Sequence, residues 1–146
     1  MGKIHLIILI GLFVGGCAEY LPISSGQLKG VVNEVPRQWG AVSDDKIVQF
    51  ETNAGKAYSV NLWIVEVSGN LYVFAGDNLA NWVKDIEENP DVRLGTGTSI
   101  FELEAFRVTD AQEFDLFARA WEAKYGNQPR NERVKETYLY RLQARA

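Results

Sequence analysis

Residues Tyr58 to Ala75 read YSVNLWIVEV, then SGN, then LYVFA. Two runs rich in β-branched and aromatic residues flank Ser68-Gly69-Asn70, a short turn-forming loop, and this predicts an antiparallel hairpin. Side chains alternate across a strand, so Val60, Leu62 and Ile64 share one face while Asn61, Trp63 and Val65 share the other. Both faces are largely apolar, the pattern of a strand that is covered on two sides.

Working outward, Lys46 to Thr52 (KIVQFET) reads as a strand entering a turn at Asn53-Ala54-Gly55-Lys56. After the hairpin, Leu79, Trp82, Val83 and Ile86 fall at helical spacing, with Asn78 as the expected N-cap and Asn89-Pro90 as the stop. Val92 to Gly95 and Ile100 to Val108 predict a second hairpin around Gly95-Thr96-Gly97-Thr98, with Phe101, Leu103 and Ala105 inward and Glu102 and Glu104 toward water. Asp110-Ala111-Gln112-Glu113 resembles a capping box and opens a helix with Phe114, Phe117, Ala118, Trp121 and Tyr125 on one stripe, ended by Gly126 and Pro129. The tail from Lys135 to Gln143 alternates as a last strand does, with a short helix as the alternative. Hairpins with two helices too few for a wound parallel sheet predict a mainly β (α+β) domain, a small antiparallel barrel with two flanking helices.

The N-terminus has a different character. Met1-Gly2-Lys3 precedes an apolar run from Ile4 to Val14, then Gly15-Gly16-Cys17, which are the parts of an export signal. The run is shorter than the roughly 20 apolar residues that cross a bilayer. Val14-Gly15-Gly16-Cys17 resembles the lipobox of bacterial lipoproteins, whose cysteine is acylated and becomes the first mature residue. The chain is thus divided into a signal (1–16), a lipidated tether rich in Ser, Gly and Pro (17–30) and one domain (31–146). The expected location is the cell envelope, and the outer membrane in a Gram-negative source, since Ala18 is not the aspartate associated with inner-membrane retention.

That processing narrows the chemistry. The only histidine, His5, leaves with the signal, and the only cysteine carries the lipid. Ser/His/Asp and Cys/His catalysis, disulfides and Cys/His zinc sites are therefore excluded. The formal charge of −4, with no basic block, argues against nucleic acid as a partner. Glu102 and Glu104 lie on one strand face as a carboxylate pair could, but on a face whose neighbours read as solvated.

The segment Asn81-Trp82-Val83-Lys84-Asp85-Ile86-Glu87-Glu88-Asn89-Pro90-Asp91-Val92-Arg93, taken with the Asn61-Leu62-Trp63-Ile64-Val65 and Leu71-Tyr72-Val73 hairpin, resembles the flavin-binding split-barrel superfamily. That group includes pyridoxamine phosphate oxidase-like proteins and deazaflavin-dependent nitroreductases. Trp121 to Gly126 with a terminal strand is similar to another branch of it. The resemblance implies a split barrel, a homodimer with the cofactor at the interface, and flavin mononucleotide (FMN) or a deazaflavin as that cofactor. It further implies Lys84 as the phosphate contact, Asn61 and Trp63 bordering the ring, and Arg93 as a second cation. No residue is assigned as catalytic, because a bound flavin performs the redox step itself. The alternative is a barrel of the same fold that binds no cofactor and serves as a binding or structural module.

Cys17→Ser is expected to abolish acylation, because the short apolar run offers no other membrane hold. Metabolic labelling with a fatty acid checks this: label in wild type and none in the variant, with the wild type co-fractionating with outer-membrane markers in a Gram-negative host.

Overall fold

The computed structural model describes residues 26–76, 79–130 and 137–146. Six antiparallel strands close a barrel in the ring order β2-β3-β4-β7-β6-β5, with a short β1 added in parallel outside β6. The strands are β1 (Val31–Asn33), β2 (Ile47–Asn53), β3 (Ala57–Val67), β4 (Asn70–Ala75), β5 (Asp91–Thr96), β6 (Ser99–Arg107) and β7 (Tyr138–Ala144). The helices are α1 (Ala41–Asp44), α2 (Asn81–Glu88) and α3 (Ala111–Tyr125).

The β3–β4 hairpin turns more tightly than a three-residue loop. Val67 pairs with Asn70, and Ser68 and Gly69 take positive φ values of 50° and 82°. Two central residues of positive φ make the turn that matches strand twist, and glycine is the residue that adopts this backbone without strain.

The expected two-sided covering is present. Ile64, Leu71 and Val73 belong to the barrel core with Phe50, Leu94, Leu103 and Leu142. Val65 and Tyr72, on the opposite face, pack with Phe114, Phe117, Trp121 and Leu139 beneath α3. The α2 side chains Trp82, Val83 and Ile86 join the first cluster, with Trp82 edge-on to Phe50 (5.8 Å) and Tyr140 (5.9 Å). That helix therefore closes the barrel. In the second hairpin Phe101, Leu103 and Ala105 face inward as expected, and the tail is a strand.

Several local expectations are corrected. Leu79 lies outside α2 and is 73% exposed; Ala80 is the N-cap, its carbonyl accepting from Val83 N (3.2 Å) and Lys84 N (3.4 Å). Asn78, the expected cap, lies outside the described residues. At α3, Asp110 Oδ1 accepts from Glu113 N at 2.8 Å, but the Glu113 carboxylate accepts from the Tyr72 hydroxyl (2.9 Å) and from Arg141. Burial and that carboxylate push the Tyr72 hydroxyl pKa up to about 12. A third helix, α1, and the strand β1 had no sequence signature, because four and three residues are too short to show a period.

Residues 26–30, just before β1, lie along the barrel wall. Leu28, in the stretch read as tether, is buried, and its N–H donates to Glu51 Oε2 (2.5 Å). A Cβ on Gly30 would meet Thr98 O at 2.6 Å, so only glycine permits this approach.

Replacing Trp82 or Trp121 with alanine is expected to cost about 3–5 kcal/mol each, as large-to-small changes in a packed core do. Leu116→Ala, at a position 52% exposed, is expected to stay within about 0.5 kcal/mol. Chemical denaturation of the three variants measures the contrast.

Candidate functional site

The junction between the C-terminal end of α3 and β3 is held by the last turn of the helix. Asp110 caps the N-terminus of α3, and Gly126 closes its C-terminus in the left-handed region at φ 78°. The last turn is tied to the barrel through its backbone. Lys124 Nζ donates to Ser43 O (2.8 Å), Asp45 O (2.5 Å) and Ile64 O (2.8 Å), which uses all three of its protons. Burial pulls the Lys124 pKa below its usual value, with Asp44 and Asp45 opposing that shift.

Tyr125 grips the same residue of β3. Its hydroxyl accepts from Ile64 N (3.1 Å) and lies within donating distance of Ile64 O (2.6 Å) and Lys46 O (2.9 Å). Burial raises its pKa to about 12, so the hydroxyl remains a donor at physiological pH. The pairing of β2 with β3 ends at Ile47–Trp63, and Tyr125 supplies the partners that β2 no longer offers to Ile64.

Above this clamp stands Trp63. Its ring is stacked on Tyr125, with centroids 4.7 Å apart and planes 16° apart, and lies 5.7 Å from Trp121. One side of the indole is thus held by aromatic neighbours, yet the residue is 45% exposed. The expectation that both faces of β3 are covered fails here, because α3 ends at Tyr125 and nothing described continues over Trp63. Trp63 instead opens on a cavity of about 610 Å³ with Asn61, Phe74, Gly76, Trp121 and Arg130 in its wall. Asn127 and Gln128 complete the polar side. Asn127 Oδ1 accepts from Trp121 Nε1 (3.3 Å), and Gln128 donates to Glu122.

Of the residues named from sequence, the structure brings Asn61 and Trp63 together in this groove. Lys84 lies elsewhere, in a cavity of about 410 Å³ with Glu87, Glu88, Arg107 and Tyr138. Arg93 is engaged with a buried carboxylate: its Nη1 is 3.2 Å from Glu51 Oε2, and the two side chains are 16% and 5% exposed. The cation beside Lys84 is therefore Arg107, whose guanidinium lies 3.9 Å above the Tyr138 ring. Cys17 lies outside the described residues. Trp121, Tyr125, Phe74 and Arg130 were not singled out for the site from sequence. The stripe on α3 marked Trp121 and Tyr125 as core, and no local pattern marks Arg130.

No protein-family model matches the chain, and no curated protein matches it in sequence. Solved structures do match its fold. A protein from Bacteroides thetaiotaomicron assigned to 5-nitroimidazole antibiotic resistance superposes with a TM-score of 0.58 at 11% identity, over 82% of this chain and 86% of that one. An FAD-binding protein from Mesorhizobium loti gives 0.51 at 14% identity, over 72% and 83%. HutZ, the haem storage protein of Vibrio cholerae, gives 0.50 at 19% identity, over 69% and 82%. At these identities the likeness establishes the fold alone, a small antiparallel split barrel with flanking helices.

Proposed function

We propose that this chain is a lipid-anchored envelope protein whose split barrel binds a flavin, FMN in the first instance, in the groove beside Trp63, and acts as a flavin-dependent oxidoreductase. The observation that carries the reading is the Trp63 indole, held rigid by Tyr125 yet 45% exposed toward a cavity of about 610 Å³. A fixed aromatic face open to solvent is a platform for a planar ring, and a cavity of that size is ordinary for a cofactor. The side-chain amide of Asn61, beside it, makes no hydrogen bond among the described residues and offers both donor and acceptor to ring heteroatoms.

The donor chemistry favours flavin over haem. Among the described residues there is no histidine, cysteine or methionine, so three of the four side chains that ligate haem iron are missing there, and tyrosine alone remains. A flavin needs no such ligand. When bound, it supplies the electron-transfer chemistry, while Trp63, Asn61 and Trp121 bind and orient the ring. Ile47, 55% exposed and paired in register with Trp63, extends the apolar surface beyond the groove and supports a homodimer that covers this face.

The second reading, a barrel without cofactor, is favoured by the commitment of Arg93 to Glu51 and by the separation of Lys84 from the groove. Titrating the full chain in nonionic detergent with riboflavin and FMN, followed by flavin fluorescence, decides between the two. Saturable binding is expected, weakened by about 1 kcal/mol, roughly fivefold, in Trp63→Ala, the scale of one aromatic pair. No saturable binding of either flavin removes the oxidoreductase reading and leaves the module.

A further inference from the structure

The groove that holds Asn61 and Trp63 differs in charge from the other cavities described. The cavity with Lys84 also carries Glu87 and Glu88, and the one with Arg93 carries Glu51, Asp91 and Glu102. A third, beside Lys56, carries Asp85, and a fourth, beside Lys124, carries Glu66. In each of these an arriving anion meets at least one carboxylate. The walls of the Trp63 groove contain none among the described residues, and their one charged side chain is Arg130.

Arg130 is placed by packing and not by pairing. Its stem lies across Gly76, where a Cβ on the glycine would stand 3.7 Å from Arg130 Cβ and Cδ. Pro129, buried just before it, fixes the path of the chain after α3. The guanidinium has no hydrogen-bond or ion-pair partner among the described residues. Arg107, Arg141 and Arg145, by contrast, are occupied by Glu87, by Glu113 and by the carbonyls of Leu103 and Val92. In a chain of net charge −4, an arginine with no acid beside it among the described residues, in the wall of an aromatic groove, is a docking point for an anion.

We infer that Arg130, and neither Lys84 nor Arg93, recognises the anionic arm of the groove's ligand, so that a planar ring against Trp63 and a phosphate on Arg130 are read by one site. This rests on the proposal that the groove takes a flavin, and it names the residue that separates the phosphorylated from the unphosphorylated form. Asn127 lines the same groove; its side-chain carbonyl accepts from Trp121, and its amide N–H groups have no acceptor among the described residues, so they can support the arm.

The test is the ratio of FMN to riboflavin affinity for the full chain in nonionic detergent, in wild type, Arg130→Gln and Lys84→Gln. Arg130 is exposed and unpaired, so its substitution is expected to leave the melting temperature unchanged. Wild type is expected to prefer FMN by roughly tenfold, the scale of one solvent-accessible charge-assisted hydrogen bond. Arg130→Gln is expected to erase that preference while binding riboflavin as wild type does, and Lys84→Gln to keep it. The wild-type preference is expected to shrink with added salt. A preference that survives Arg130→Gln, or is lost in Lys84→Gln, overturns the assignment but leaves the flavin reading standing. Failure of both flavins to bind wild type overturns both.

Discussion

The β3–β4 hairpin has to be buried on both faces, and most of the molecule follows from meeting that requirement. Ile64, Leu71 and Val73 on one side and Val65 and Tyr72 on the other are all buried. A strand pair that is apolar on both faces cannot sit at the surface of a simple two-layer domain, because one face would remain in water. Closing the sheet into a barrel covers the first face, and docking α3 outside covers the second. A helix is straight and finite, whereas the hairpin continues past its end. The place where α3 stops and β3 goes on is therefore the place where an aromatic residue is exposed, and that residue is Trp63.

The end of α3 is held by backbone contacts more than by side-chain packing. Lys124 and Tyr125 both reach the backbone of Ile64, and through Lys46, Ser43 and Asp45 they also hold the chain that enters β2. Ile64 is itself within the barrel core, so the groove wall moves only if the core moves. A surface supported in this way is preorganised, and a ligand placed on Trp63 would lose little affinity to ordering the protein.

Electrostatics divide the surface. The buried pair Glu51–Arg93 and the Glu113–Arg141–Tyr72 cluster take cations out of circulation as structural partners on the barrel wall. Removing one member of such a pair leaves the other charge buried and uncompensated, so these arginines belong to stability more than to ligand contact. Arg93 illustrates the point: it stands opposite Glu51 in register across β5 and β2, a cross-strand relation that no reading of a single segment contains.

The sequence alone determined the elements and their faces. Period-two alternation in Tyr58–Ala75 and Ile100–Val108, the stripe of Phe114, Phe117 and Trp121, the stops at Pro90 and Gly126 and the Asp110 cap are local properties of the chain, and local sterics and hydrogen bonding enforce them wherever the segment is placed. Very short elements escaped, since β1 and α1 hold fewer residues than one period needs, and Leu79 matched a helical spacing by position while lying in a loop. The site was legible only in part. Asn61 and Trp63 are neighbours on one strand and so could be named together, but their groove is completed by Phe74, Trp121 and Arg130, which are distant in sequence. Whether a lysine or arginine is free or paired depends on which strand lies beside it, and closure of the barrel decides that. Periodicity records which way a side chain points; only the tertiary structure records what it meets there.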